Sequence, residues 1–499
     1  MIRLFDTKQH KKVDFVPRHE GKVSMYVCGP TVYNRIHIGN ARTFISFDMV
    51  RRYLEWSGFD VTFVQNVTDV DDKIIARAAE EGRTAAEVAA EYTQAFIADM
   101  HAAGVEDPTI RPKATEEIPA MIDLVERLIE RGHAYVVDGD VYFSVRSDPH
   151  YGQLSGRNIN EMEAGHRELR AEGSGIEDRK QDPLDFALWK AAKPGEPSWD
   201  SPWGAGRPGW HIECSAMSQK YLGLPFDIHG GGADLVFPHH ENECAQSTCA
   251  YDEGFADYWM HSGMLQVNSE KMSKSLGNFL LLHEVLEQAR PGALRMLMLQ
   301  THYRSPLDFS IARMDEADAA LTRIENALSN VRWLCSNADA EAPDAIDRQA
   351  LSARMMQTRE DFTASMDDDF NAPAALGSIF TLVSELNQQC SGVETLNVAD
   401  AEQIMEAHDC IVELLGVLGL PLEVENEVAY PLAVIDLAAE IADYGGEDTM
   451  EAVEALIEAR ALARQEKDWA TADKVRDGLI ELGFVIEDTP QGAKVSYEG

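Results

Sequence analysis

Residues 22–58 constrain the fold more than any other part of the chain, because they form a strand, a short loop and a helix in direct succession. Residues 22–27 alternate and are rich in apolar and β-branched side chains, which predicts a strand. Gly29-Pro30 ends it, and apolar residues then recur at helical spacing from Asn40 until Gly58. A strand that leads directly into a helix is typical of a doubly wound α/β domain.

The motif His37-Ile38-Gly39-Asn40 lies where this helix begins. Free backbone N–H groups and the helix dipole make that place suited to an anion. Gly39 lets a nucleotide approach the backbone, and His37 could donate to a phosphate oxygen whose charge grows during a reaction. The alternative is a loop histidine beside a turn glycine.

A second motif, Lys-Met-Ser-Lys-Ser at 271–275, follows a strand-like stretch at 258–267 and lies in a polar loop. Lys271 and Lys274 could contact a departing pyrophosphate, and cations that act mainly in the transition state raise the rate of a reaction. The alternative is a solvated basic loop.

Together the two motifs resemble those of the class I aminoacyl-tRNA synthetases, which read His-Ile-Gly-His and Lys-Met-Ser-Lys-Ser. Asn40 takes the place of the commoner fourth histidine. An asparagine can hydrogen-bond but carries no charge, so we assign it no ionic role.

Composition places the chain in a cellular setting. The first 17 residues have no apolar core of a signal peptide, no run approaches a membrane span, and the seven cysteines are scattered. We therefore expect a cytoplasmic protein with no membrane partner. The 85 acidic residues against 44 Lys and Arg give a net charge of −41, spread along the chain, which indicates a halophilic protein that works in concentrated salt.

A metal site is one interpretation of four further residues. His239 and Glu243 follow Pro238 at a predicted helix start and would share one helix face as i and i+4. With the thiols of Cys28 and Cys214 they would form a tetrahedral zinc set of sulfur, nitrogen and oxygen. Two buried thiols and a helix ion pair are the alternative, and the spacing alone leaves both open.

The carboxyl-terminal end carries a basic island in the acidic chain, at residues 460–476. Trp469, Asp473 and Arg476 are spaced i, i+4 and i+7, on one helix face. An aromatic platform flanked by Arg and Asp can stack an unpaired base and read its edge. A solvated charged face with a half-buried tryptophan is the alternative.

Four longer motifs make the resemblance to the synthetases more specific. They resemble those of the cysteinyl-tRNA synthetase family, and the likeness extends over nearly the whole chain. They are Cys-Gly-Pro-Thr-Val-Tyr at 28–33, Gly-Trp-His-Ile-Glu-Cys-Ser-Ala-Met at 209–217, Phe-Pro-His-His-Glu-Asn-Glu at 237–243, and Asp-Asp-Asp-Phe-Asn-Ala-Pro-Ala-Ala-Leu at 367–376.

This resemblance implies a role for specific residues. It implies one zinc ion per subunit, held by Cys28, Cys214, His239 and Glu243. It implies a cysteine pocket lined by Gly29, Thr68 and Trp210. It implies a site for ATP with Mg²⁺ at His37, Gly39, Asn40, Lys271 and Lys274, of which His37, Lys271 and Lys274 are catalytic. It implies anticodon contacts by Arg464, Trp469, Asp473, Arg476 and Asp488.

The expected fold class is α/β, a doubly wound parallel-sheet (Rossmann-like) catalytic domain with an inserted subdomain, followed by a helical bundle and a small anticodon-binding unit. The inserted subdomain is too short for a separate hydrolytic site. The expected segments are the first half of the catalytic domain at 1–113, the inserted connective subdomain at 114–206, the second half of the catalytic domain at 207–266, the lysine loop and stem-contact region at 267–315, the helical bundle at 316–425 and the anticodon-binding unit at 430–499.

The expected activity is that of a cysteine–tRNA ligase. The carboxylate of L-cysteine would attack the α-phosphate of ATP, and the cysteinyl group would then pass to the 3′ end of cysteine tRNA. We expect a monomer. The alternatives are a ligase that joins cysteine to an amino sugar and a non-catalytic protein that binds tRNA or cysteine.

Overall fold

The computed structural model describes residues 1–158, 180–267, 270–271, 280–420, 422, 430–446, 448–489 and 492–497. The chain forms two compact units. The first contains residues 1–321, 359–379 and 414–421, and the second contains residues 322–358, 380–413 and 422–499.

The amino-terminal part of the chain alternates strands and helices, as the sequence predicts. Its strands are β1 (Arg3–Asp6), β2 (Lys11–Asp14), β3 (Lys22–Val27), β4 (Asp60–Gln65), β5 (Ala134–Val137), β6 (Asp140–Phe143), β7 (Phe186–Ala191), β8 (Gly206–Pro208), β9 (Phe226–Gly232), β10 (Ala256–Ser262), β11 (Leu265–Val267), β12 (Glu270–Lys271) and β13 (Leu307–Phe309). Its helices are α1 (Ile38–Trp56), α2 (Asp72–Glu81), α3 (Ala85–Ala102), α4 (Ile118–Glu130), α5 (Trp210–Leu222), α6 (Glu241–Tyr251), α7 (Leu282–Leu286) and α8 (Pro291–Leu299).

A parallel sheet lies at the centre of the first unit, with the strand order β10-β9-β3-β4. Its neighbouring strands β3 and β9 pair through Met25–Ile228, Tyr26–His229 and Val27–Gly230. The strand order reverses between these two strands, and in sheets of this kind ligands bind beyond the carboxyl ends at such a point. The topology therefore places a candidate site just after Val27 and Gly232.

The inserted region forms an antiparallel sheet in the order β5-β6-β7-β8. Its first hairpin turns at Asp138-Gly139, both with positive φ, as the Asp-Gly pair predicts. The sequence at 156–182 is polar and charged, and residues 159–179 of this stretch lie outside the described residues.

Two local predictions near the lysine motif were wrong. The strand predicted at 258–267 is split into β10 and β11 at Gly263, where a Cβ would lie 2.4 Å from the Ser305 carbonyl oxygen. Lys271 was predicted in a loop, but its backbone lies in the short strand β12, which pairs with β11. Lys274 lies outside the described residues.

A buried group of charges joins α1 to α8, and we call it the Arg295 clamp: Asp48, Arg52 and Arg295 with the carbonyls of Gly104 and Leu418. The Arg295 guanidinium pairs with the Asp48 carboxylate, which Arg52 Nε also contacts at 2.8 Å. Arg295 also donates to Leu418 O at 2.9 Å and to Gly104 O at 3.1 Å. The clamp is satisfied by partners within the chain.

The remaining helices are α9 (Ile311–Ser336), α10 (Arg348–Asp367), α11 (Ala372–Cys390), α12 (Val398–Val417), α13 (Ala433–Ala442), α14 (Thr449–Glu466) and α15 (Trp469–Glu481). Apolar periodicity in the sequence predicts helices at 311–337, 351–365, 372–390 and 401–418, which agree with the first four to within a few residues. The last three pack with the hairpin β14 (Phe484–Thr489) and β15 (Gly492–Tyr497) around a core that includes Leu456, Val475 and Phe484. The sequence also predicts a linker at 421–430, of which the structure describes residues 422 and 430.

Within the described residues, no helix is long and apolar enough to cross a membrane.

Candidate active site and metal centre

The candidate site begins where β3 ends, at Cys28 and Gly29. A Cβ on Gly29 would lie 1.6 Å from the Asn66 carbonyl oxygen, so the residue must be glycine. Its backbone N–H donates to Asn66 Oδ1 at 2.9 Å. This close contact holds the residue after Cys28 against Asn66, the residue that follows β4.

Cys28, Cys214, His239 and Glu243 are buried together, with one ligand atom of each within 4.8 Å of the others. The two sulfurs are 3.6 Å apart, and Cys28 Sγ is 3.4 Å from Glu243 Oε1. His239 Nε2 is 3.6 Å from Cys214 Sγ and 2.8 Å from Glu243 Oε1. The fold thus brings together all four residues that the sequence suggested as ligands.

These separations can be compared with the geometry of a tetrahedral zinc site. Zinc bonds of about 2.3 Å to sulfur and about 2.0 Å to nitrogen or oxygen put two sulfurs about 3.8 Å apart, sulfur and nitrogen about 3.5 Å apart, and nitrogen and oxygen about 3.3 Å apart. Of the four separations given above, the three that involve sulfur lie within about 0.2 Å of these values, and the nitrogen–oxygen separation has to open by about 0.5 Å. The donor set fits zinc.

The electrostatics of the cluster favour a cation among these side chains. Burial alone would lower the pKa of His239, but Glu243 and Cys214 outweigh burial and raise it to about 10. Burial would raise the pKa of the Cys214 thiol, but contacts with Cys28 and His239 lower it to about 6. Burial would also raise the pKa of Glu243, yet His239 and His229 hold it well below its usual value. A thiolate and a carboxylate buried here need positive charge beside them.

The expected helix start at Pro238 needs a correction. The regular helix α6 begins at Glu241, and His239 lies in the preceding helical turn Val236–His240, in which Phe237 has a non-helical backbone. His239 and Glu243 contact each other across this junction. The i, i+4 spacing therefore predicted the contact correctly, although the two residues do not lie in one regular helix.

Sequence reasoning missed a second combination of ligands. Cys28, His229, His240 and Glu243 also have ligand atoms within 4.8 Å of one another. His229 Nε2 is 2.8 Å from Glu243 Oε2, and His240 Nε2 is 3.3 Å from Cys28 Sγ. The sequence signal for His229 was a histidine within a buried strand, β9. The signal for His240 was only its position next to His239.

The residues expected to line a cysteine pocket lie around this cluster. Trp210, 37 % exposed, stacks on the His239 ring with centroids 4.2 Å apart. The Thr68 hydroxyl donates to Glu213 Oε2 at 2.6 Å and is contacted by Asn66 Nδ2 at 3.3 Å. Asn66 and Glu213 are buried positioning groups that the sequence did not single out.

The nucleotide motif caps helix α1. His37 Nδ1 accepts from the Asn40 backbone N–H at 3.2 Å, and Asn40 Oδ1 accepts from the His37 backbone N–H at 3.3 Å. In a neutral His37 ring the proton is then on Nε2, which leaves that nitrogen as a donor. Asn40 has a structural role here that the sequence did not predict, and its contact with ATP stays a prediction.

The chain that follows the lysine motif runs beside the nucleotide motif. Ile38 N–H donates to Leu280 O at 3.1 Å, and Leu282 N–H donates to Ile36 O at 2.9 Å. Residues 280–282, which follow the lysine motif, therefore lie next to the amino-terminal end of α1. The side chain of Lys271 lies outside what the structure describes.

The predicted base-binding residues are in the carboxyl-terminal helices and hairpin. Trp469 is the first residue of α15 and is 59 % exposed, an exposure that both base stacking and the half-buried alternative allow. Asp473 and Arg476 form an ion pair of 3.0 Å. Arg464 is on α14, and Asp488 is on β14, where its side chain is outside the described atoms.

Comparison with protein families assigns most of the chain. Residues 14–319 match the class I (C) catalytic domain of tRNA synthetases, residues 361–423 match the DALR domain, and residues 447–495 match the cysteinyl-tRNA ligase anticodon binding domain.

Similar proteins span the full length of the chain. It is 48 % identical over 501 residues to a cysteine–tRNA ligase of Desulforamulus reducens, with 100 % of both chains covered. It is also 48 % identical over 494 residues to a cysteine–tRNA ligase of Desulfitobacterium hafniense, with 99 % of each covered. Among solved structures, a Mycobacterium tuberculosis methionyl-tRNA synthetase in complex with methionyl-adenylate is similar with a TM-score of 0.57 and 16 % identity, covering 80 % of this chain and 90 % of the other. That likeness confirms the α/β fold class.

Proposed function

The chain belongs to the cysteine–tRNA ligase family, and from that premise we propose that it activates L-cysteine with ATP and transfers the cysteinyl group to the 3′ end of cysteine tRNA. The observation that carries the proposal is the buried cluster of two thiols, an imidazole and a carboxylate beyond the switch point of the parallel sheet. An anticodon-binding domain match at 447–495 supports tRNA as the acceptor.

The cluster would select the substrate. Cys28, Cys214, His239 and Glu243 would hold one zinc ion. A zinc ion held there would supply a ligand position that suits a substrate thiolate, for which the hydroxyl of serine is a much poorer ligand. Apolar contacts alone discriminate weakly between near-isosteres. Trp210 and Thr68 would orient the amino acid, and the backbone of Gly29 would line the pocket beside it.

Activation would occur between this cluster and the start of α1. The carboxylate of cysteine attacks the α-phosphorus of ATP held with Mg²⁺, the bond to the β-phosphate oxygen breaks, and pyrophosphate leaves. Gly39 gives close access to the backbone. His37 Nε2 would donate a hydrogen bond to a phosphate oxygen, and Lys271 and Lys274 would neutralise charge that develops on the phosphates. Asn40 would hold His37 in the tautomer that donates.

Two assays separate this function from the alternatives. Cysteine-dependent exchange of pyrophosphate into ATP distinguishes an enzyme from a binding protein. Transfer of labelled cysteine to tRNA, with an amino sugar as the competing acceptor, distinguishes the two ligases. Exchange followed by transfer to tRNA alone is the expected result, and transfer to the sugar would overturn the proposal.

We also propose that the protein has the domains and the boundaries that the sequence predicts, with the anticodon-binding unit at 430–499. Within it, Arg464, Trp469, Asp473, Arg476 and Asp488 would read the anticodon of cysteine tRNA. The ligase would act as a cytoplasmic monomer.

Recognition of tRNA by so acidic a protein poses an electrostatic problem. At a net charge of −41 the protein repels a polyanion at low salt. In about 1 M salt the Debye length is about 3 Å, so distant charges hardly act. We propose a halophilic protein that relies on short-range contacts, above all stacking on Trp469.

A salt titration of tRNA binding tests this part of the proposal. Affinity should stay flat or rise from dilute buffer to about 1 M salt, because screening removes repulsion. Trp469→Ala should weaken charging by about 1–3 kcal/mol, the value of one stacked base, while pyrophosphate exchange stays unchanged. A steep loss of affinity with salt would instead indicate a conventional basic binding face.

A further inference from the structure

Tyr26 stands next to the candidate metal cluster, but neither the sequence motifs nor the proposed chemistry uses it. It lies on β3 two residues before Cys28, so both side chains extend from the same face of the sheet. It is fully buried in the apolar core that also contains Cys28 and Cys214. Its ring is 5.5 Å from the His229 ring.

The hydroxyl of Tyr26 is buried and has no hydrogen-bond partner among the residues that the structure describes. A buried hydroxyl without a partner costs free energy, and phenylalanine would fill the same space without that cost. The presence of tyrosine at this position therefore indicates that its O–H group forms a hydrogen bond in a state of the site other than the metal-free one.

The groups around the hydroxyl show what it could serve. The Cys214, Cys28 and Glu243 side chains lie close enough to act on the hydroxyl electrostatically. A phenol ordinarily keeps its proton at neutral pH, so this hydroxyl is a donor that faces a group of acceptors.

Cys214 is the acceptor that lacks a donor once its thiol is ionised. Its sulfur has Cys28 Sγ at 3.6 Å, His239 Nε2 at 3.6 Å and Asn66 Oδ1 at 3.7 Å. In a metal-loaded cluster Cys28 is a thiolate and His239 Nε2 is a ligand, so neither can donate. Asn66 Oδ1 is an acceptor, and Asn66 Nδ2 already contacts Thr68.

We infer that Tyr26 is a positioning residue whose hydroxyl donates a hydrogen bond to Cys214 Sγ in the metal-loaded site. This inference rests on the proposed function. The hydrogen bond withdraws charge from the thiolate and fixes its direction, as partners of metal ligands do in other sites. Through this hydrogen bond Tyr26, on β3, would influence the metal without being one of its ligands.

Tyr26→Phe in the full-length protein tests the inference, with zinc and cobalt as probes. Zinc affinity, measured by competition with a chromogenic chelator, should fall about tenfold, the lower end of what partners of metal ligands contribute. In the cobalt-substituted protein the sulfur-to-metal charge-transfer band should shift. The metal-free variant should be at least as stable as the metal-free wild type, because it has lost a hydroxyl without a partner.

The matched control is Tyr53→Phe, which removes another buried hydroxyl, one that donates to Asp367 Oδ1 at 2.9 Å. This variant should lose stability and keep the zinc affinity and cobalt spectrum of the wild type. Unchanged zinc affinity and an unchanged cobalt spectrum in Tyr26→Phe would overturn the inference. If Cys214→Ser bound zinc as tightly as the wild type, the proposed metal site itself would fail, which is a separate outcome.

Discussion

Two buried polar clusters of the first unit, the metal-ligand cluster and the Arg295 clamp, differ in how their charges are satisfied. In the clamp, all the nitrogens of Arg295 and both oxygens of Asp48 have partners, including the backbone N–H of Glu106 at 3.0 Å from Asp48. Around the ligand cluster, buried polar atoms lack partners among the described residues, namely Tyr26 Oη, Glu213 Oε1, Gln246 Oε1 and Ser247 Oγ.

This difference distinguishes the Arg295 clamp, whose side chains stabilise the fold, from the metal-ligand cluster, whose side chains are arranged to bind a ligand. Buried polar atoms in proteins are nearly always hydrogen-bonded, so a concentration of unsatisfied ones is informative. A complete ion-pair cluster needs nothing further, whereas under the proposed function the cluster of thiols, imidazoles and a carboxylate would be completed by a metal cation and a substrate. The following changes should therefore have opposite effects in the two clusters.

The largest effect is expected for Cys214→Ser. Loss of a ligand should lower zinc affinity by more than about 100-fold, since even partners of ligands contribute about 10–100-fold. Cysteine-dependent pyrophosphate exchange should be lost with the metal, while the far-ultraviolet circular dichroism stays that of the wild type. Cys249→Ser, at a buried thiol outside the cluster, is the control and should keep its zinc. Normal activation of cysteine by zinc-free Cys214→Ser would contradict the assignment.

Arg295→Met should show the reverse pattern. Removing one partner of a buried ion pair costs about 3–5 kcal/mol of unfolding free energy, because the other charge is left buried. Urea denaturation should report this loss, and the folded variant should keep its full zinc content. Arg51→Met, which breaks the more exposed pair with Glu55, is the matched control and should cost at most about 1 kcal/mol. If Arg295→Met lost zinc but kept the unfolding free energy of the wild type, the distinction between the Arg295 clamp and the metal-ligand cluster would be wrong.

A smaller effect is expected from pH acting on the clamp. Burial would raise the pKa of Asp48, but Arg295 and Arg52 outweigh burial and hold it below its ordinary value. A lowered pKa gives a stabilisation that is complete above the unfolded value of about 3.9 and is lost as the pH falls through the lower folded value. Urea midpoints between about pH 5 and about pH 3 should therefore fall more steeply for the wild type than for Arg295→Met. Parallel curves would show that Asp48 is not the group responsible.

Local patterns in the sequence were enough to predict much of the fold. The succession of β3 and α1, the Asp-Gly hairpin and the long helices follow from periodicity and turn residues alone. The split at Gly263 did not, because it depends on contacts with residues 304–309, far along the chain. The strand at Lys271 did not, because it forms by pairing with β11, which begins only after that split.

The candidate site was predictable only in part, and for a similar reason. Cys28 and Cys214 are 186 residues apart, and only the parallel sheet and the packing of α5 bring their sulfurs to 3.6 Å. The family resemblance pointed to both residues, whereas spacing could not. Side chains such as Tyr26, Asn66 and His229 looked like ordinary core residues until their partners were known.

The central claim, that the ligand cluster holds a metal that selects cysteine, is tested most directly by titrating zinc into chelator-stripped protein during ATP–pyrophosphate exchange. Exchange with cysteine should be absent in the stripped protein and should rise in proportion to bound zinc up to one equivalent, with no exchange on serine at any point. Full exchange with cysteine by the metal-free protein, or exchange with serine that rises alongside it, would contradict the account.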